Sequence, residues 1–112
     1  MKALKFKLIS NKEVLIDEES TYYIKDNVIN FKINNELYNY NLENNILIKT
    51  NKESKITIDF ENYNIIIEIL NNNLMFNMEI LEYTIHIENN KISIKYKYLG
   101  EEETQNNIFI EY

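Results

Sequence analysis

Apolar and polar residues alternate one by one along almost the whole chain, and a short polar segment interrupts the alternation about every ten residues. A period of two puts successive side chains on opposite faces of an extended strand. The first run, Lys2–Ser10, sets Leu4, Phe6 and Leu8 on one face and Lys2, Lys5 and Lys7 among the polar flanks. A second begins at Val14-Leu15-Ile16 and resumes at Thr21-Tyr22-Tyr23-Ile24 after the acidic stretch Asp17-Glu18-Glu19. Val28–Ile33, Glu36–Leu42, Ile46–Thr50, Ser54–Phe60 and Tyr63–Leu70 follow. The longest run is Leu74–Glu88, and Lys91–Leu99 and Thr104–Tyr112 close the chain.

The breaks between runs share one chemistry. Asp26-Asn27, Asn34-Asn35, Asn44-Asn45, Asn51-Lys52, Glu61-Asn62, Asn71-Asn72-Asn73 and Asn89-Asn90 supply nearly all of them. Tight hairpins need residues at positive φ, where glycine is easiest and asparagine next best. The chain has no Pro and one Gly, Gly100, against 20 Asn and 20 Ile. The Asn therefore read as turns and Gly100 as a backbone only glycine adopts. The excess of Asn, Ile and Lys, whose codons are AT-rich, points to a low-GC bacterial genome.

Two runs carry more information than alternation alone. In Leu74–Glu88, Leu74, Phe76, Met78 and Ile80 share one parity and Tyr83, Ile85 and Ile87 the other. A strand changes faces only by inserting a residue, so a β-bulge is predicted around Ile80-Leu81-Glu82. In Tyr63–Leu70, Ile65-Ile66-Ile67 is apolar on both faces. No segment keeps a 3.6-residue period as well as it keeps a period of two. The expectation is an all-β chain, residues 1–112 as a single domain, folded as an antiparallel up-and-down meander of eight to ten strands. Closure into a barrel would remove its edges.

Composition excludes several chemistries. Without Cys there is no disulfide framework, thiol nucleophile or thiolate-bound zinc. A single Gly excludes glycine-rich phosphate loops. With 12 Lys, no Arg and 18 acidic residues the net charge is -6, which opposes binding to nucleic acid. No apolar run approaches the ~20 residues of a membrane-spanning helix, and the lysine-punctuated start does not read as a signal peptide. A cytoplasmic location is the expectation.

His86, the only histidine, falls on the polar face of its run with Glu82, Thr84 and Glu88. With Glu88 or Glu82 it makes a base with an orienting carboxylate; alternatively it is a surface histidine between two acids. Neighbours two apart on one strand face sit roughly 6–7 Å apart, long for a hydrogen bond. Glu101-Glu102-Glu103 and Asp17-Glu18-Glu19 lack the offsets of a calcium loop and read as solvated. The chain offers no oxyanion pocket for Ser10, Ser20, Ser54 or Ser93. Neither an enzyme nor a cofactor is expected.

The tyrosines are the informative set. Tyr38, Tyr40, Tyr63, Tyr83, Tyr96 and Tyr98 fall on the apolar parity of their strands, beside Phe31, Phe60 and Phe76. A barrel interior lined by them has apolar walls and several hydroxyls, as a site for a small amphipathic ligand would. The same residues also fit a filled core whose hydroxyls reach the rim or the backbone. Barrels of about eight strands do either.

Three stretches resemble the YwiB-like family of small bacterial proteins. Leu42-Glu43-Asn44-Asn45-Ile46-Leu47-Ile48-Lys49-Thr50 through Ile56-Thr57-Ile58-Asp59-Phe60 is similar to the family's middle, and Tyr22-Tyr23-Ile24-Lys25-Asp26 to an early strand. Ile92-Ser93-Ile94-Lys95-Tyr96-Lys97-Tyr98-Leu99-Gly100 with Asn107-Ile108-Phe109-Ile110 looks like its closing hairpin. The resemblance implies a calycin-like, lipocalin-type barrel and no catalytic residues.

Two functions remain open. One is a non-enzymatic intracellular barrel that holds a small apolar or amphipathic ligand among the tyrosines. The other is a protein-interaction module, a homodimer or a partner-binding domain, that uses an exposed sheet face or edge. Ile65-Ile66-Ile67 and the side residues Leu37, Leu47 and Phe109 motivate the second.

Overall fold

The computed structural model describes residues 3–112, so Lys2 of the first run lies outside the described residues. Ten strands occupy them: β1 Ala3–Ser10, β2 Glu13–Lys25, β3 Val28–Ile33, β4 Glu36–Asn41, β5 Ile46–Thr50, β6 Ser54–Asp59, β7 Asn64–Ile69, β8 Leu74–Glu88, β9 Lys91–Leu99 and β10 Glu103–Glu111. Each pairs antiparallel with its neighbour in sequence, and β1 pairs with β10 to close an up-and-down barrel. The run expected to break at Asp17-Glu18-Glu19 is one continuous strand, β2. Those acids cause no break because they pair with Lys7, Phe6 and Lys5 of β1 and stay exposed to water.

Turn chemistry explains the register. Positive φ occurs at Asp26-Asn27, Asn34-Asn35 and Asn89-Asn90, both residues of each pair, and at Asn45 and Asn73. These are two-residue hairpins and αL turn positions that asparagine tolerates. Asn11-Lys12, whose φ values are 47 and 70, is a further hairpin that the turn reading omitted. At Glu61-Asn62 the positive φ passes to Tyr63. Asn51-Lys52 uses another device: Asn51 Oδ1 accepts the N–H groups of Glu53 and Ser54, both at 2.8 Å, and stabilises the turn through its side chain. Gly100 does not have positive φ, and a Cβ there would meet nothing within 4 Å. The expectation of a glycine-only backbone is wrong, because its turn is open enough for any residue.

The barrel has two corners, made by its two longest strands. Residues Ala3–Thr21 of β1 and β2 pair with one another, whereas β2 meets β3 only from Tyr22 to Lys25. Likewise β8 pairs with β7 over Leu74–Glu79 and with β9 over Ile80–Glu88. The barrel wall thus divides into two sheets, one made of β1, β10 and β9 and the other of β3 to β7, and each long strand leaves one sheet and joins the other. The register of β8 against β9 slips between Ile80 and Glu82, so Leu81 is the inserted residue and the bulge lies where the parity change demanded it. Met78 and Ile80 pack inward before the bulge, and Tyr83 and Ile85 after it.

The core draws on nearly every strand. Leu4 and Phe6, Ile29, Phe31 and Ile33, Tyr38 and Tyr40, Leu47, Phe60, Ile65, Ile80, Ile92, Ile94 and Tyr96, and Ile108 and Ile110 are all buried. β2 contributes no fully buried residue. Leu47, expected on an outer face, points inward with Tyr40 and Ile58 as register partners. Phe76, expected inside, is 53% exposed, because β8 overhangs the sheet there.

Candidate functional site

The six tyrosines do not form one lining. Phe31 and Tyr38 stack at 5.1 Å with Phe6 tilted against both, and this trio fills the barrel behind β2. Tyr40 is fully buried toward the opposite end, where its hydroxyl donates to Asn45 Oδ1 at 2.7 Å and fastens the β4–β5 turn. Tyr63 is not interior: it sits in the β6–β7 turn at 46% exposure and leans on half-buried Tyr83. Its left-handed backbone breaks the alternation that assigned it inward.

Tyr38, Tyr96 and Tyr98 remain, and they do share a cavity. It is a partly open cavity of about 220 Å³, walled by Phe6 and Leu8 from β1, Leu47 from β5, Ile56 and Ile58 from β6, and Ile65 and Ile67 from β7. Met78 of β8 and Ile108 of β10 complete the apolar wall. The volume is below the roughly 300–1,000 Å³ of drug-sized sites. It exceeds the roughly 150 Å³ of an engineered apolar cavity that admits benzene. The barrel is therefore neither fully packed nor a wide cup.

Two polar residues join that wall, Lys49 and Asn106, neither of them among the site residues that alternation singles out. Lys49 stands at the rim, with Nζ 3.2 Å from Glu36 Oε2, a carboxylate oxygen that also accepts from Asn51 Nδ2 at 3.1 Å. Asn106 is buried and donates through Nδ2 to the Tyr96 hydroxyl at 3.0 Å. Its Oδ1 is sealed from solvent and has no hydrogen-bond partner. A buried acceptor left without a donor costs about 1–3 kcal/mol. Asn106 shares the parity of Ile108 and Ile110, and carrying the alternation two residues back would have placed it inside.

The electrostatics keep this interior neutral. Burial pushes the Tyr96 phenol up to about 12, against the lowering effect of the Asn106 hydrogen bond. Burial, reinforced by Glu36, raises Tyr38 to about 12. Both hydroxyls stay protonated through the physiological range. Tyr96 accepts from Asn106, so its own proton remains available for donation, and accepting strengthens it as a donor.

His86 lies on the outer surface, with Nε2 3.1 Å from Glu88 Oε2 and both side chains more than two-thirds exposed. The two side chains lean together across the same-face spacing that looked too long for a hydrogen bond. The pair borders an open surface depression beside Ser93 and Phe109 and stays largely in solvent. Among the described residues, no three His, Asp or Glu side chains gather as a metal site requires.

No family model matches the chain, and no curated protein and no solved structure matches it either.

Proposed function

We propose that the protein is a non-enzymatic barrel that binds one small, uncharged, largely apolar molecule in the cavity beside Tyr96. One observation carries this reading: an apolar cavity of about 220 Å³ contains a polar station, Tyr96 with Asn106, whose hydrogen-bonding capacity the chain itself does not use up. A well-packed interior leaves neither a void of that size nor an orphan amide oxygen. The apolar wall supplies affinity by burial, and the Tyr96 O–H fixes orientation on a ligand oxygen. The Lys49 ammonium is neutralised by Glu36, so the rim does not select an anion. A short alcohol or a phenol has the required chemistry.

The test compares p-cresol with toluene, two molecules of nearly the same shape that differ in one hydroxyl. Thermal unfolding is followed with each at increasing concentration, since a ligand bound only to the folded chain raises the midpoint by mass action. Both should stabilise the wild type, and p-cresol more. In Tyr96→Phe the advantage of p-cresol should vanish while the response to toluene persists. No midpoint shift with either compound would refute the reading. An advantage of p-cresol that survives in Tyr96→Phe would move the polar station elsewhere.

A further inference from the structure

The β8 corner carries a second site, independent of the cavity. Ile80 donates its N–H to the Tyr63 carbonyl at 2.9 Å, on the β7 side. An antiparallel ladder alternates its bonding, so Leu74, Phe76 and Met78 also bond toward β7. Met75 and Asn77 therefore turn their N–H and C=O groups to the other side. Among the described residues no strand lies there, because β9 begins to pair with β8 only at Ile80. Around this unpaired edge the side chains are apolar and exposed: Leu70 at 44%, Leu74 at 50%, Met75 at 62% and Phe76 at 53%. From Leu74 to Met78 there is no charge, no Pro and no Lys, the features that normally guard a free edge.

We infer that Leu74–Met78 is a self-pairing edge, on which a second copy of this chain adds the same segment antiparallel across a two-fold axis. Backbone groups at alternate residues demand a strand as the occupant. The segment is complementary to itself. With Phe76 opposite its own symmetry mate, Leu74 faces Met78 and Met75 faces Asn77, so the outward-bonding residues meet in register. Leu74, Phe76 and Met78 then form one apolar face across the junction, with an aromatic pair at its centre. Glu79 falls opposite Asn73, so no acid meets an acid. The free edge of β2 is excluded as a partner to its own copy, because Glu13, Asp17, Glu18 and Glu19 line it. Among the described residues this leaves a single competent edge, and its pairing with its own copy gives a closed dimer and not a filament.

Sedimentation velocity over a wide concentration range tests this with the full chain. The wild type should pass reversibly from monomer to dimer. Added salt should strengthen the dimer, since it screens the repulsion between two chains of net charge -6. Phe76→Lys should raise the dissociation constant at least a hundredfold. Asn77→Pro removes a single outward N–H, takes nothing from the β7 ladder, and should raise it at least tenfold even if Phe76→Lys fails to fold. Leu15→Lys, on the other corner, should leave dimerisation unchanged. A wild type that stays monomeric at every concentration overturns the inference. So do an open-ended series of larger species and folded edge variants that dimerise like the wild type.

Discussion

The two corner strands meet the same geometrical demand with opposite chemistry. β8 changes sheets at a bulge plugged by Ile80, which is 1% exposed, and its overhanging edge is apolar. β2 passes from β1 to β3 between Thr21 and Tyr22 with no slip there, its register shift lying back between Leu8 and Ile9, and its inward positions opposite Phe6 and Leu4 are Glu18 and Ser20. The gap between β2 and β3 is bridged there by one side chain, with Ser20 Oγ donating to the Lys32 carbonyl at 2.7 Å. A corner can thus be sealed by packing or left wet and guarded by charge. The packed corner leaves an edge able to recruit a strand, and the wet corner leaves an edge that repels one.

Four measurements sharpen or break that contrast. Ile80→Ala removes the plug from a packed corner, and urea unfolding should show a loss of about 2–5 kcal/mol. A loss below about 1 kcal/mol would mean that the bulge and not the side chain holds β8 in place. Alkaline titration should weaken the β2 side next. Its backing phenol, Tyr38, is held protonated in the fold at pH values where an unfolded tyrosine ionises. The folded chain then binds more protons than the unfolded one, so stability is full below pH 10 and falls as pH rises toward 12. Tyr38→Phe should recover about 1 kcal/mol at pH 11 relative to its effect at pH 7. Ser20→Ala should cost about 1 kcal/mol and speed amide exchange in β3, as expected when one hydrogen bond spans the gap. Glu18→Ala should change stability by less than about 0.5 kcal/mol, although its position in register is an inward one. A large effect would show that the β2 corner is packed after all.

Most of the scaffold was legible because two signals agreed. Alternation placed Leu4, Phe6, Ile92, Ile94 and Ile108 inside, and paired Asn marked the hairpins. The parity change in Leu74–Glu88 even located the bulge. The errors arise where a neighbouring strand is missing or a turn resets the backbone. Phe76 has the correct parity but no β9 beside it, so its inward face meets solvent. Alternation counts Tyr63 into a strand, whereas its positive φ makes it part of the turn. Glu18 and Asn106 show the same limit from the polar side. Alternation says which way a residue points, while burial depends on whether the next strand covers it. For the candidate site, three of the six tyrosines proved to share the cavity. The Asn106 amide was hidden because an Asn in this chain reads first as a turn.

The neighbour-to-neighbour order of the strands has a kinetic consequence. Nine of the ten pairings join segments adjacent in sequence, and each hairpin closes a short loop at small entropic cost. The pairing of β1 with β10, Lys5 opposite Glu111, alone joins the two ends of the chain. Local pairings of this kind favour fast formation, and the terminal seam has the longest loop to close. Folding should therefore proceed as a growing ribbon that zips shut last at β1 and β10. A circular permutant that joins the end of β10 to the start of β1 and opens the chain at the exposed Asn89-Asn90 turn would turn the slow seam into a hairpin, and make β8 with β9 the last pair to form.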